Sequence, residues 1–179
     1  MNPLSRLFGR HRGGHRSEEP HMTVSPRQTV EAFLTGFRHL DAGAALSTVA
    51  DDARVTVYPL QVVDGSKDVI GTLLQDIVRS FPDLILKVRS VLELGTGDGR
   101  SDGGGPGRVS GVVVAELKIE GTQAADFLGV VNQEKHLDVD TAWRFTVTGE
   151  SITGIDVYWC QNQLYRRLAV KRTDQIAIV

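Results

Sequence analysis

The chain has 179 residues, 41% hydrophobic and 23% charged, which is ordinary for one globular domain with a sizeable core. A net charge of −2 and a pI near 6.2 exclude a globally basic protein built for nucleic acid or an anionic membrane surface. The lone cysteine, Cys160, excludes an intramolecular disulfide and a cysteine-built zinc site, and the lack of paired cysteines makes the cytoplasm the expected compartment.

Residues 1–22 carry Arg6, Arg10, Arg12 and Arg16 among glycines and histidines and read as a disordered basic tail. They hold no apolar run long enough for a signal-peptide core or a membrane span. Residues 23–170 form the expected domain, and residues 171–179 a C-terminal extension. Four of the five histidines lie in the first 39 residues, so only His136 stands in the body of the chain, and no metal site is expected.

Ser25-Pro26-Arg27-Gln28 has the pattern of a capping box with proline at the first helical position, predicting a helix over about 26–40. Val30, Phe33, Leu34, Phe37 and Leu40 give it one apolar face. Asp41-Ala42-Gly43 closes it, and 44–50 reads as a second short helix. Arg54 to Leu60 alternates as a short strand stopped by Pro59. Asp64-Gly65-Ser66 reads as a turn, followed by a third helical stripe from Val69 to Phe81.

The period then changes to two. Strands are predicted over 84–92, 109–119, 136–147 and 152–161. The first pair is joined by GTGDGRSDGGGPG, whose seven glycines predict a mobile hairpin loop. Residues 122–133 form a lid-like excursion, and Thr148-Gly149-Glu150 is a tight turn between the last two strands. Helices followed by four long antiparallel strands predict an α+β fold with the helices on one face of a curved sheet, a cone that encloses a cavity.

Four stretches carry a resemblance. Phe81-Pro82-Asp83-Leu84, Gly121-Thr122-Gln123 through Gly129, Trp143-Arg144-Phe145 and Leu164-Tyr165-Arg166-Arg167-Leu168-Ala169 are similar, in order and spacing, to segments of the SnoaL-like polyketide cyclases. These belong to the nuclear-transport-factor-2-like superfamily with ketosteroid isomerases and limonene-epoxide hydrolases. The resemblance implies a cone-shaped fold and a cofactor-independent cyclase or isomerase, working by proton transfer on a hydrophobic polyketide-like molecule. The sequence also departs from the family. Gln123 stands where the family has histidine, Val157 where it has the acid/base aspartate of the last strand, and Thr141 near its histidine partner.

Parity decides what the last hairpin offers, because alternate strand residues face opposite sides. With a three-residue turn, Trp143, Val157 and Trp159 line the cavity, while Asp138, Asp140, Arg144 and Asp156 form ion pairs outside. A four-residue turn or a bulge instead brings Asp156 onto the face of Thr141 and Trp143. There an aromatic wall raises its pKa and suits it to proton transfer. Burying carboxylates without partners is costly, which favours the first register.

Asp156 is the candidate acid/base in the inward case. Tyr58 and Gln123 are candidate hydrogen-bond donors to a ligand, and Thr141, Trp143, Val157 and Trp159 candidate lining. His136 reads as a surface residue rather than a base, Cys160 as a small apolar filler, and Asp51-Asp52 as a solvated turn. The expected partners are a hydrophobic small molecule and a second copy in a homodimer, with no nucleic acid, membrane or cofactor. The alternatives are a non-catalytic carrier, an oligomerisation module, and an epoxide-opening enzyme that needs Asp140, Arg144 and Asp156 gathered inward.

Overall fold

The computed structural model describes residues 24–97 and 110–169. The basic tail, the C-terminal extension and most of the glycine-rich connection lie outside these residues.

Helix α1 (Pro26–Arg38) opens on the expected capping box. The Gln28 amide donates to Ser25 Oγ at 3.2 Å, and the Ser25 amide donates to Gln28 Oε1 at 2.8 Å. Its buried stripe is Val30, Phe33, Leu34 and Phe37, each contributing roughly 1.5–3 kcal/mol when fully withdrawn from water. Helix α2 (Ala42–Leu46) starts where Asp41 accepts from the Ala44 amide at 2.8 Å. It packs against α1 through Gly36, where a Cβ would stand 2.5 Å from the Ala45 nitrogen.

The second helix is shorter than the 44–50 predicted. The hydroxyls of Ser47 and Thr48 donate to the carbonyls of Ala44 and Ala45 at 2.7 and 2.8 Å, and from Val49 onward the chain belongs to the sheet. Strand β1 (Val49–Val57) therefore begins five residues before the predicted Arg54. Asp51 and Asp52 lie in its irregular first half rather than in a turn, and Lys67 Nζ anchors that half by reaching the Val49 carbonyl at 2.7 Å and Asp51 at 3.0 Å.

A single 3₁₀ turn (Tyr58–Leu60) contains Pro59, and Gln61 reverses the chain at φ 57°. Strand β2 (Val62–Gly65) then pairs antiparallel with β1 and takes in Asp64 and Gly65 of the predicted turn. Helix α3 (Lys67–Ser80) buries Ile70, Leu73, Leu74 and Ile77.

The four long strands follow: β3 (Ile85–Gly97), β4 (Ser110–Thr122), β5 (His136–Thr148) and β6 (Ser151–Trp159). The last ends two residues before the predicted boundary, because the chain turns at Cys160 into helix α4 (Gln161–Leu168). The sheet order is β2-β1-β6-β5-β4-β3, with β1 parallel to β6 and every other pair antiparallel. The result is a mixed, open six-stranded α+β sheet. Helix α1 crosses β3 to β6, α3 lies on β1, and α4 packs on β5. One face of the sheet is thus covered and apolar, while the other carries the ion pairs.

Candidate functional site on the covered face of the sheet

The turn joining β5 to β6 has two residues, Gly149 and Glu150, with Thr148 opposite Ser151. Continued unbroken, that register would set Asp156 beside Trp143 on the covered face. It does not continue, because the pairing shifts by one residue between Ile152 opposite Val147 and Gly154 opposite Thr146. Thr153 is the extra residue, and its hydroxyl lies 3.2 Å from Thr148 Oγ1 and 3.4 Å from the Thr146 carbonyl. This bulge restores the parity that a three-residue turn would have produced. Val157 then faces Trp143, Ile155 faces Phe145, and Asp156 faces Arg144 on the outer side.

On the covered face the structure assembles Thr141, Trp143, Val157 and Trp159, four of the sequence-predicted site residues. Trp143 is 1% exposed and its indole packs against Phe33, Phe37 and Phe145 at centroid separations of 6.0, 5.7 and 6.2 Å. The Trp143 Nε1–H donates to Thr141 Oγ1 at 2.8 Å, and that hydroxyl donates onward to the Tyr158 carbonyl at 2.7 Å. Trp159, half-buried, donates to Gln161 Oε1 at 2.7 Å.

Beside Thr141, Trp143 and Trp159 lies a narrow cavity of about 30 Å³; Val157, wholly buried next to Trp143, does not line it. Leu73 and Ile77 of α3, Phe127 of the connection 123–135, Leu137 and Val139 of β5, and Leu164 of α4 complete its lining with Ile119. Sequence reasoning named only the last-hairpin part of this wall. The rest was visible only as periodic apolar positions, with nothing to say which of them meet. The lining holds no ionisable group, and Thr141, its one polar side chain, is already engaged at both its donor and its acceptor.

Gln123 is 1% exposed but is spent inside the excursion. Its amide donates to the Val130 carbonyl at 3.3 Å, and its oxygen accepts from the Gln133 backbone at 3.3 Å. The buried amide knits the loop. Ser80 reinforces the same loop by donating to the Asp126 carbonyl at 3.1 Å.

The outer face brings together the other two candidates. Asp156 accepts from Arg144 Nη1 at 2.7 Å. Two residues on, Tyr158 stacks on Tyr58 with ring centroids 4.5 Å apart and planes 15° from parallel. The hydrogen bond to Tyr58, helped by desolvation and the Asp156 charge, pushes the Tyr158 phenol up to about 12. Asp156 therefore stands in a polar pair on the side opposite the apolar cavity. The inward Asp140, Arg144, Asp156 cluster required for epoxide opening is not formed, since Asp140 pairs outside with Arg89 at 2.9 Å.

Lys118 binds Asp138 at 2.9 Å and Glu120 at 3.3 Å, and Lys87 reaches Glu120 at 2.6 Å. These hydrogen bonds hold Asp138 and Glu120 below, and Lys118 above, their ordinary pKa ranges. Asp83 is lowered chiefly by the Thr122 amide, which donates to it at 2.6 Å. His136 and Cys160 are exposed. Among the described residues no group of three His, Cys, Asp or Glu is placed to hold a metal, and no helix is long and apolar enough to cross a membrane.

Three helices laid on one face of a six-stranded mixed sheet, with an apolar pocket between them, make up a ketosteroid isomerase-like, nuclear-transport-factor-2-like fold. Solved structures share it over most of their length. A protein from Jannaschia sp. named as a SnoaL-like polyketide cyclase is 20% identical, with a TM-score of 0.62 over 83% of this chain and 97% of its own. One from Pseudomonas putida named as a polyketide cyclase is 14% identical, with a TM-score of 0.62 over 81% and 98%. AclR of Streptomyces galilaeus, named as a hydroxylase, is 14% identical, with a TM-score of 0.64 over 80% and 95%. No protein-family profile and no curated protein matches the sequence.

Proposed function

We propose that this chain binds a hydrophobic, ring-bearing small molecule between the sheet and its helices. The observation that carries the reading is the cavity itself: an almost wholly apolar lining, walled by both indoles, whose one polar side chain is already satisfied. Such a pocket selects by shape and apolar surface rather than by charge. At about 30 Å³ it holds little more than a water or two, whereas a single aromatic ring needs on the order of 150 Å³. A wall must therefore yield. Helix α4 is the wall we take to yield: it buries only Leu164 and Leu168 and is tied to its surroundings by the Trp159–Gln161 bond at 2.7 Å, side-chain hydrogen bonds of 3.4 Å from Gln133 and Gln163, and an Arg167–Asp138 ion pair at 3.7 Å.

The neutral fluorophore N-phenyl-1-naphthylamine tests this. Saturable binding of one molecule per chain is expected, with energy transfer from Trp143 and Trp159. Leu164→Ala should tighten it and Leu164→Trp abolish it. Absence of saturable binding to the folded wild-type protein refutes the reading.

The neighbours named as polyketide cyclases favour a second reading, in which the bound molecule is cyclised or isomerised by proton transfer. In that reading the acid/base is not Asp156, which was the candidate only if it faced inward and which instead pairs with Arg144 on the side opposite the cavity. Turnover of a polyketide-like substrate by the native chain tests it, with Asp156→Asn expected to leave the rate unchanged; no turnover overturns it. We further propose that two copies associate through the outer face, where Leu92 and Leu94 are 53% and 57% exposed opposite Val114 and Val112.

A further inference from the structure

A second concavity, an open groove of about 330 Å³, runs along α3 on the far side of the cavity wall. Its floor is Val57, Leu60, Val69 and Leu73, and its rim carries Asp68 and Asp76. Leu73 belongs to both concavities. The remaining partition is two consecutive residues of one tight turn, with Phe127 lining the inner cavity and Leu128 the outer groove.

That turn is built to be marginal. Phe127 and Val130 pair through two backbone hydrogen bonds of 3.0 and 2.9 Å, and Leu128 and Gly129 between them both sit at positive φ, 47° and 78°. Gly129 adopts that conformation freely, but a leucine in the left-handed region costs roughly 1 kcal/mol. The strain is tolerated because the Leu128 side chain packs against the core.

The groove also has a sign. No lysine, arginine or histidine lines it. Asp76 is partly neutralised by Arg79 at 2.9 Å, while Asp68 makes only a 3.4 Å contact with the Ser66 hydroxyl and no ion pair among the described residues. An apolar floor flanked by two carboxylates complements a molecule with an apolar body and a cationic end. An anion would meet repulsion on both sides.

Resting on the cavity reading above, we propose that the α3 groove is a ligand subsite continuous with the inner cavity across the Phe127–Val130 turn, and that it takes an apolar molecule ending in a cationic nitrogen. The apolar part lies against Leu73 and the turn, and the cation lies beside Asp68, the rim carboxylate without an ion pair among the described residues, with Asp76 about 12 Å further along the helix.

Calorimetric titration with hexyltrimethylammonium, 1-hexanol and hexanoate tests this, with amide chemical shifts locating each probe. The ammonium is expected to bind about fivefold more tightly than the alcohol, as one exposed carboxylate allows, with shifts at Val57, Val69 and Leu73. The double variant D68N/D76N should bring the ammonium to the affinity of the alcohol while leaving the alcohol unchanged. Should the double variant fail to fold, D68N alone is expected to remove part of the preference. Equal binding of hexanoate, or an ammonium affinity indifferent to these substitutions, overturns the subsite while leaving the inner cavity standing if N-phenyl-1-naphthylamine still binds. Failure of every probe overturns both.

Discussion

Replacing Thr141 by valine keeps the shape of the side chain and removes one hydroxyl from the centre of the covered face. In the native structure that hydroxyl accepts from Trp143 Nε1 at 2.8 Å and donates to the Tyr158 carbonyl at 2.7 Å. Trp143 is 1% exposed, so its N–H is left without a partner where water does not reach. An unsatisfied buried donor costs about 1–3 kcal/mol, and the added methyl recovers a fraction of that. The expected loss is therefore about 2 kcal/mol, close to a thirtyfold change in the folded-to-unfolded ratio. Urea unfolding should show a lower midpoint at unchanged slope. Combining Thr141→Val with Trp143→Phe, which removes the N–H, should cost less than the sum of the two single changes by about 1–2 kcal/mol. Full stability in Thr141→Val, or strict additivity in the double variant, would refute the internal pairing. Thr141 would then be a hydroxyl free to meet a ligand.

Tyr158 should ionise near pH 12 in an ultraviolet titration, and Tyr58→Phe should bring that step down by removing the hydrogen bond that retains the proton. Because the folded value is raised, the associated stability is complete below about pH 10 and is lost as the pH climbs toward 12. Asp83 behaves in the opposite sense. Its pKa is lowered by the Thr122 amide, so its contribution is present above about pH 4 and disappears as the pH falls through the depressed value. Asp83→Asn is expected to be less stable than the native chain at neutral pH, with the gap in melting temperature closing on acidification. Sedimentation at micromolar concentration should show a dimer, and Leu92→Lys combined with Leu94→Lys should yield a folded monomer. A native monomer contradicts the outer-face assembly.

Local signals that act over a few residues were legible in the chain: the Ser25/Gln28 box, the apolar stripes of α1 and α3, and the alternation of the long strands. Each is written by short-range chemistry or by a fixed period, and together they determine an α+β layout with one covered face. The second helix was overextended, because an alanine-rich run favours helix until Ser47 and Thr48 divert its last carbonyls and Val49 is taken by β6. Strand β2 was missed because it is only four residues long and its Asp64-Gly65 end reads as the start of a turn, until the parallel β1–β6 pairing positions β1 to receive it.

Which residues meet across the covered face was beyond the sequence. Leu73, Phe127 and Leu164 are separated by long stretches of chain and converge only when the sheet, α3 and α4 pack. The placement of Asp156 shows the same limit in a single residue. The sequence alone established that its side depends on the register of one hairpin, and burial cost favoured the outside. Only the folded sheet decided it, through an extra residue at Thr153, because side chains alternate with period two and one unpaired residue reverses every face beyond it.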